Sequence, residues 1–409
     1  MKAMRRVATV SLVGPVAWIA SEAWGQSFHG IGQTPGGFES YANAVSGDGL
    51  VVGGNANTPQ GYRAVRWTLA GGLKILPVLA GTTTSLCWSV NADGSVCVGN
   101  SDTPNTERAV RWTNAGLESL GTLPGSTAAN ALAVNDDGTV ITGYAIGPGA
   151  LTGFRWTASG GMQALPTRPG WDSCHGFAIS GDGAAIAGVA WTPSSFRAFR
   201  WTVTGGTQDL GTLGGINAFA SGISRDGATV VGFSEASGGF SRAFRWRPGS
   251  GMSGIAPTSV EGHGASRDGS VIVGDAATAT GIPCAFLWTA TTGALDLNTY
   301  LPTLGIVLSG WTLDHAYSVS DDGLTIAGWG THNGTDEGWV ATLPAPRICY
   351  PNCDGSTIQP ILDIFDFNCF LSKYALGDTY ANCDHSTASP VLTVNDFVCF
   401  SAAFAAGCP

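Results

Sequence analysis

Residues 44–54 read Ala44-Val45-Ser46-Gly47-Asp48-Gly49-Leu50-Val51-Val52-Gly53-Gly54, and residues 63–67 read Arg63-Ala64-Val65-Arg66-Trp67. Apolar runs on either side of an Asp-Gly pair signal a hairpin, because glycine takes positive φ without a Cβ clash. The pair recurs at Asp93, Asp137, Asp182, Asp226, Asp268 and Asp322. A Trp trails each Asp, at Trp67, Trp112, Trp156, Trp201, Trp246 and Trp288, with Trp339 as a weaker seventh. Successive Asp positions lie 45, 44, 45, 44, 42 and 54 residues apart. A period of this size means stacked copies of one supersecondary unit.

In the first copy, Ala44–Ser46, Leu50–Gly53, Arg63–Thr68 and Leu73–Leu79 read as four antiparallel strands, with a polar loop from Asn55 to Gly61. Four strands in about 45 residues is the size of one propeller blade. Phe28 to Gly36 resembles an orphan fourth strand with its exit loop, while the seventh copy stops at a third strand, Gly338 to Leu343. Together they would complete a shared blade. The expected fold is all-β: a seven-bladed β-propeller of four-stranded blades over 26–344, closed by an N-terminal strand. An open solenoid would need capping repeats, and none is visible.

The chain has 60 Gly, 12% charged residues and a net charge of −10, which argues against nucleic acid as a partner. Lys2, Arg5 and Arg6 followed by the apolar run Val7–Ala20 and by Ala23-Trp24-Gly25 read as a signal peptide over 1–25. No later segment is long and apolar enough to span a membrane, so none is expected after cleavage. Ten Cys suit an oxidising destination. The expected location is secreted, extracellular or attached to a cell surface.

The repeats resemble the extracellular HAF-repeat family. The resemblance rests on the 44–54 stretch, on Arg63–Trp67 and Arg108–Trp112, and on Arg197–Trp201 and Arg242–Trp246, each an RAVRW or RAFRW run. It covers roughly 27–345; Cys284–Trp288 and Glu337–Val340 depart from the pattern. It implies a secreted bacterial repeat protein and names no ligand.

A catalytic group is needed once, a packing group in every blade. The repeated Asp, the repeated Trp and Arg66, Arg111, Arg155, Arg200 and Arg245 therefore read as scaffold, with each Trp filling a gap between blades and each Asp bonding nearby backbone N–H groups. On that reading Trp201→Ala costs ~3–5 kcal/mol through cavity formation. Seven residues before each Asp, where the innermost strand begins, stand Tyr41, Leu86, Asn130, His175, Phe219, Glu261 and His315. At that level they would ring the mouth of a central channel. Tyr41, Asn130, His175, Glu261 and His315 are candidate ligand-binding residues; His175, Glu261 and His315 could share a metal or act as acid and base, or simply line a wet channel. Trp171, Trp191, Trp311 and Trp329 lie outside the repeated position and suit either stacking on sugar rings or packing. Cys87 and Cys97 flank one hairpin; with Cys174 and Cys284 they allow three pairings, and sequence does not choose.

After the linker 345–348 the composition changes, and residues 349–409 hold six Cys and a second repeat with a period of 30. Asn352-Cys353-Asp354 matches Asn382-Cys383-Asp384, and Asp366–Phe370 matches Asp396–Phe400. Each half reads as an oxygen-rich loop and a short helix. Phe367, Phe370, Leu371 and Tyr374 form one apolar stripe, echoed by Phe397, Phe400 and Phe404. Candidate metal ligands are Asn352, Asp354, Ser356, the Ile361 carbonyl, Asp363 and Asp366 in the first loop, and Asn382, Asp384, Ser386, the Val391 carbonyl, Thr393 and Asp396 in the second. The module is similar to the dockerin domain, in its bacterial variant ending in Gly-Cys, here Gly407-Cys408. That resemblance implies a small EF-hand-like helical domain, up to two Ca2+ and docking onto a cohesin-like or other extracellular protein. Both loops carry about three extra residues and begin with Asn, and the second lacks the carboxylate matching Asp363, so calcium should be weaker there. The pairing expected among fifteen is Cys353–Cys369, Cys383–Cys399 and Cys349–Cys408.

Two functions follow. One is a secreted, non-catalytic binding or structural propeller held by its tail to a partner or surface. The alternative is a secreted propeller enzyme acting on polysaccharide, which would need two carboxylates in one pocket. The unrepeated acids Asp172, Glu235, Glu261, Asp314 and Asp336 are scattered among blades, which favours binding.

Overall fold

The structure is a computed structural model describing residues 26–103, 106–149, 151–255, 260–277, 281–344, 353, 364–378, 381–383 and 392–406. The expected signal peptide and linker lie outside these residues. The chain divides into two compact units, Met1–Leu343 and Pro344–Pro409.

Seven four-stranded antiparallel sheets make up the first unit, and six use four consecutive strands. Blade 1 comprises Ser40–Val45, Val52–Thr58, Gly61–Thr68 and Gly72–Ile75. Blade 7 comprises Trp311–Val319, Thr325–His332 and Thr335–Thr342, completed by the N-terminal strand Ser27–Gly30. Phe28 pairs with Ala341 and Gly30 with Trp339, so the two ends of the array close one blade. The expected seven-bladed propeller is the observed fold.

Hydrogen bonds fix each turn. All seven repeat Asp accept, at 2.9–3.0 Å, the backbone N–H two residues on: Leu50, Ser95, Thr139, Ala184, Ala228, Ser270 and Leu324. A Ser or Asn two residues before the Asp (Ser46, Asn91, Asn135, Ser180, Ser224, Ser266, Ser320) accepts the N–H five residues beyond itself, at 2.8–3.0 Å. The side chains thus replace turn partners that the short hairpin lacks. One backbone hydrogen bond also crosses every junction between neighbouring turns. The N–H donors and carbonyl acceptors are Asp48–Ala92, Ala92–Asp136, Asp136–Gly181, Gly181–Arg225, Asp226–Arg267, Arg267–Asp321 and Asp321–Gly47, at 2.8–3.2 Å. That is a closed ring.

The repeat Trp packs against the preceding blade. Trp67 shares a buried cluster with Ala327 and Val340, Trp156 with Val98 and Ala109, and Trp339 with Val273 and Ala285. Trp201 and Trp288 do the same while only partly buried. The repeat Arg reaches the following blade. Arg66, Arg155 and Arg200 donate to the carbonyls of Gly94, Gly183 and Gly227, while Arg111 and Arg245 lie over Trp156 and Trp288 at 4.7 and 5.2 Å.

Several features depart from the sequence reading: in blade 1 the first strand begins at Ser40 rather than Ala44, and the fourth ends at Ile75 rather than Leu79. The span from Asn55 to Gly61 is not a loop: Asn55–Thr58 extends the second strand and Gly61 opens the third, with Asn55 opposite Ala64. Asn55 is buried there because its Oδ1 takes the Cys87 N–H of the next blade at 2.8 Å. The long 54-residue gap holds a helix, α1 (Leu297–Thr303), capped by Asp296, whose Leu297 and Leu301 are buried beside Leu287 and Trp339. Cys87 and Cys97 are not bridged; they and Cys174 and Cys284 are buried free thiols.

In the second unit, α2 (Ile364–Ala375) and α3 (Val394–Ala406) pack the expected Phe367, Phe370, Tyr374, Phe397, Phe400 and Phe404 together, whereas Leu371, expected in the first stripe, is exposed. Phe370 and Phe400 are fully buried and stack at 3.9 Å, with Phe367 and Phe404 around them. Cys353–Cys369 and Cys383–Cys399 are bonded as expected; Cys349 and Cys408 lie outside the described residues. So do Asn352, Asp354, Ser356, Ile361, Asp363, Asp384, Ser386 and Val391 among the candidate ligands. Asp366 and Asp396 are fully buried in the first turns of α2 and α3. Thr393 donates its N–H to Asp396 at 2.7 Å, and Asn382 stands just before Cys383.

Candidate functional site

The innermost strands face a central cavity of about 930 Å³, large enough for a small organic ligand. Each inner strand carries a β-bulge at the residue five before the repeat Asp: Asn43, Trp88, Leu132, Phe177, Ser221, His263 and Tyr317; the inner strands of blades 5 and 7 carry a second register shift, between Gly214 and Ala218 and between Leu313 and His315. A bulge inserts an unpaired residue and re-aims side chains. Here three positions face the axis in six blades and two of the three do so in blade 7. The seven bulged residues line the cavity, and so do the small residues that follow them, Ala44, Ser89, Ala133, Ala178, Gly222, Gly264 and Ser318. Six of the seven expected mouth residues form the outer tier: Tyr41, Leu86, Asn130, His175, Phe219 and Glu261. His315 stands behind this wall, stacked on Trp329 at 4.4 Å.

A glycine in each second strand makes the arrangement possible. A Cβ on Gly54, Gly99, Gly143, Gly188, Gly232, Gly274 or Gly328 would lie 1.8–2.0 Å from the backbone carbonyl of the mouth residue of its own blade. Only a residue without Cβ admits that approach.

The far end of the channel is crossed by charge. Arg225 lies 3.4 Å from Asp136 and 3.6 Å from Asp321, while Arg267 pairs with both carboxylates. These chains come from blades 3, 5, 6 and 7, so the network reaches across the ring and forms a floor beneath the cavity. They stand one residue before the repeat Asp, a position that sequence reading passed over.

The walls divide chemically. Tyr41, Tyr62, Trp88, Tyr144, Phe177, Phe219, Tyr317 and Trp329 give the cavity an aromatic lining. Trp88 is held by its indole N–H to Asn100 at 2.8 Å. The Tyr41 hydroxyl donates to Glu39 and lies 3.2 Å from Asp336, and its burial beside these acids holds it far above the usual phenol range. Burial likewise pushes Tyr144 up to about 12 and Asp102, behind it, up to about 6. Trp171 and Trp311 are packing residues, the latter stacked on His332 at 4.3 Å, and Trp191 backs His175.

The candidate trio is not one group. His175 stacks on Tyr144 at 4.3 Å and lies 4.5 Å from Trp191, and burial pushes its pKa down to about 4. It is a neutral member of the aromatic wall. Glu261 and His315 instead meet two residues that sequence reading missed, His263 and Asp275. His263 bonds the Asp275 carboxylate, and its other nitrogen lies 3.8 Å from Glu261; His315 lies 3.4 Å from Asp275. Burial alone would depress His263, but the hydrogen bond to Asp275 and the charges of Asp275 and Glu261 raise it. Burial opposes the charge on Asp275, yet its hydrogen bond to His263 and the nearby His315 imidazole hold it well below the usual carboxylate range. Two signals were available: His263 is two residues from Glu261 on one strand, and Asp275 is the cross-strand partner of Glu261.

No family model matches the chain, and no curated protein matches it. Solved structures with a similar course include TolB from Acinetobacter baumannii, at 14% identity over 71% of this chain and 79% of that one, TM-score 0.43. Putative TolB from Agrobacterium tumefaciens is 15% identical over 77% and 93%, TM-score 0.40. Virginiamycin B lyase from Staphylococcus aureus is 14% identical over 78% and 99%, TM-score 0.46. No function is carried over from these likenesses.

Proposed function

We propose that the protein is a secreted, non-catalytic binding propeller whose central cavity takes a carbohydrate-like ligand and whose dockerin-like tail docks it to an extracellular or cell-surface protein. The observation that carries the reading is the cavity lined with aromatic rings and floored by ion pairs. Flat apolar rings with polar edges suit the faces of sugar rings. Two disulfides fit an oxidising compartment, and no helix among the described residues is long and apolar enough to cross a membrane. The HAF-like repeats and the signal-like N-terminus support export.

The tail reading is supported by two helices that repeat the same stacked Phe, the same disulfide and the same buried first-turn Asp. The expectation of a calcium ion in each loop rests on the resemblance to the dockerin domain and on the oxygen-rich loop sequences. Calorimetric titration of the full chain with calcium tests this: saturable uptake, lost in an Asp366→Ala/Asp396→Ala double variant, is expected. Absence of binding at millimolar calcium overturns it.

The enzyme reading has one observation in its favour, since Glu261 and Asp275 both contact His263. Of the five scattered acids, however, only Glu261 lines the cavity. Titrating the protein with a panel of soluble oligosaccharides, while following tryptophan emission and product release, separates the two. Binding without turnover is expected; turnover abolished by Glu261→Gln would favour the enzyme.

A further inference from the structure

At and just behind the cavity wall of blades 6 and 7, two imidazoles and a carboxylate converge from three strands. One ligand atom from each of His263, Asp275 and His315 lies within 4.8 Å of the others. His263 comes from the bulge of blade 6, Asp275 from the second strand of blade 6 and His315 from the first strand of blade 7. We propose that these three residues form a binding site for a zinc-class divalent transition metal, with Glu261 as the positioning carboxylate.

Three independent observations carry the assignment. The first is orientation. The Nδ1 atom of His315 is buried and makes no hydrogen bond, although Asp275 is 3.4 Å away. An unpartnered ring nitrogen aimed at a carboxylate is costly unless a cation takes its lone pair. The second is charge. Asp275 and Glu261 bring two carboxylates together, and among the described ion pairs their partners are histidines, with no Lys or Arg. A divalent ion neutralises that pair. The third is the surrounding frame. Nε2 of His263 points at Asp275 while Nδ1 lies 3.8 Å from Glu261, which itself accepts the Ser221 hydroxyl. A ligand histidine whose far nitrogen faces a carboxylate is the usual support of a metal site, fixing tautomer and ring direction. Tyr317 and Trp329 hold the two rings from the side, at 4.8 Å from His263 and 4.4 Å from His315.

Two nitrogens and one carboxylate oxygen favour zinc and its neighbours over calcium or magnesium, which prefer all-oxygen shells. Three protein ligands leave a tetrahedral ion one further position. His263 and Glu261 line the cavity, so the site adjoins the space assigned to the organic ligand. Metal binding does not depend on that ligand, and the two are measured separately.

The test uses the full chain, freed of metal by a chelating resin, kept in calcium to fill the tail, then exposed to zinc sulfate and desalted. Elemental analysis should find one zinc per chain in the wild type. His315→Ala and Asp275→Asn should each lose it, and Glu261→Gln should retain it with affinity weaker by roughly 10–100-fold. Near-UV circular dichroism of the metal-free variants establishes that they fold. If either ligand variant does not fold, cobalt(II) loaded into the wild type decides: tetrahedral visible bands without a thiolate charge-transfer band support the site. A thiolate band would place the ion on the buried cysteines and overturn the proposal. So would zinc uptake equal in wild type and folded variants, or no zinc retained by the wild type.

Discussion

His175 and His263 stand in one cavity wall with opposite surroundings. His175 has rings on its faces and no charge beside it, so burial lowers its pKa from 6.5 to about 4. The native state therefore keeps it neutral where the unfolded chain would protonate it. Its contribution to stability is complete above pH 6.5 and is lost as pH falls toward 4. Discounted for partial solvent screening, the loss amounts to about 1–3 kcal/mol. Urea unfolding at pH 7 and pH 4 should show that the wild type loses about this much more than His175→Phe. Equal losses would contradict the neutral-wall assignment. Sequence reading placed His175 at the right level of the channel but grouped it with Glu261 and His315. Position along a strand gives height in the ring; it does not say which blades face each other or what covers a side chain. The same limit applies to the repeat Trp: their inter-blade role was legible, whereas the partial exposure of Trp201 was not. The cost expected for Trp201→Ala belongs more securely to the fully buried Trp339.

At the scale of the element, the bulge in each inner strand organises the cavity. It needs an unpaired residue, a small residue after it and a glycine across the ladder, and the sequence repeats the last two in every copy. Gly143→Ala tests the requirement, because the new Cβ would meet the Asn130 carbonyl at 1.9 Å. The substitution should cost about 1–3 kcal/mol or more through forced backbone shift, read as a lowered urea midpoint. An unchanged midpoint would show that the bulge tolerates a side chain there. Hairpin positions were legible since Asp-Gly dictates local geometry. Strand limits were not, because Asn55–Thr58 is polar by composition and extended only through its partner strand and the next blade. The extra length before Asp322 was visible as a gap, but α1 is too short to leave a helical period.

The whole propeller depends on closure. Seven inter-blade backbone hydrogen bonds circle the channel, and the strand Ser27–Gly30 supplies the last edge of blade 7. Deleting residues 27–30 should leave that edge unpaired, lower the melting temperature and promote association between chains. A monomer with an unchanged melting curve would mean that the ring closes without the strand. This closure was readable from the unequal ends of the repeat array, where each end supplies what the other lacks. The floor was not readable, because Asp136, Arg225, Arg267 and Asp321 are 42 to 185 residues apart and meet only once the ring is formed. A central cavity lined by rings from several blades is the basis of the binding assignment. Calorimetric titration of the full chain and of Trp88→Ala and Trp329→Ala with soluble oligosaccharides tests it most directly. The account predicts saturable binding to the wild type, weakened at least tenfold by either substitution, about 1.4 kcal/mol or more. Binding that neither substitution alters, or no binding across the panel, would contradict it.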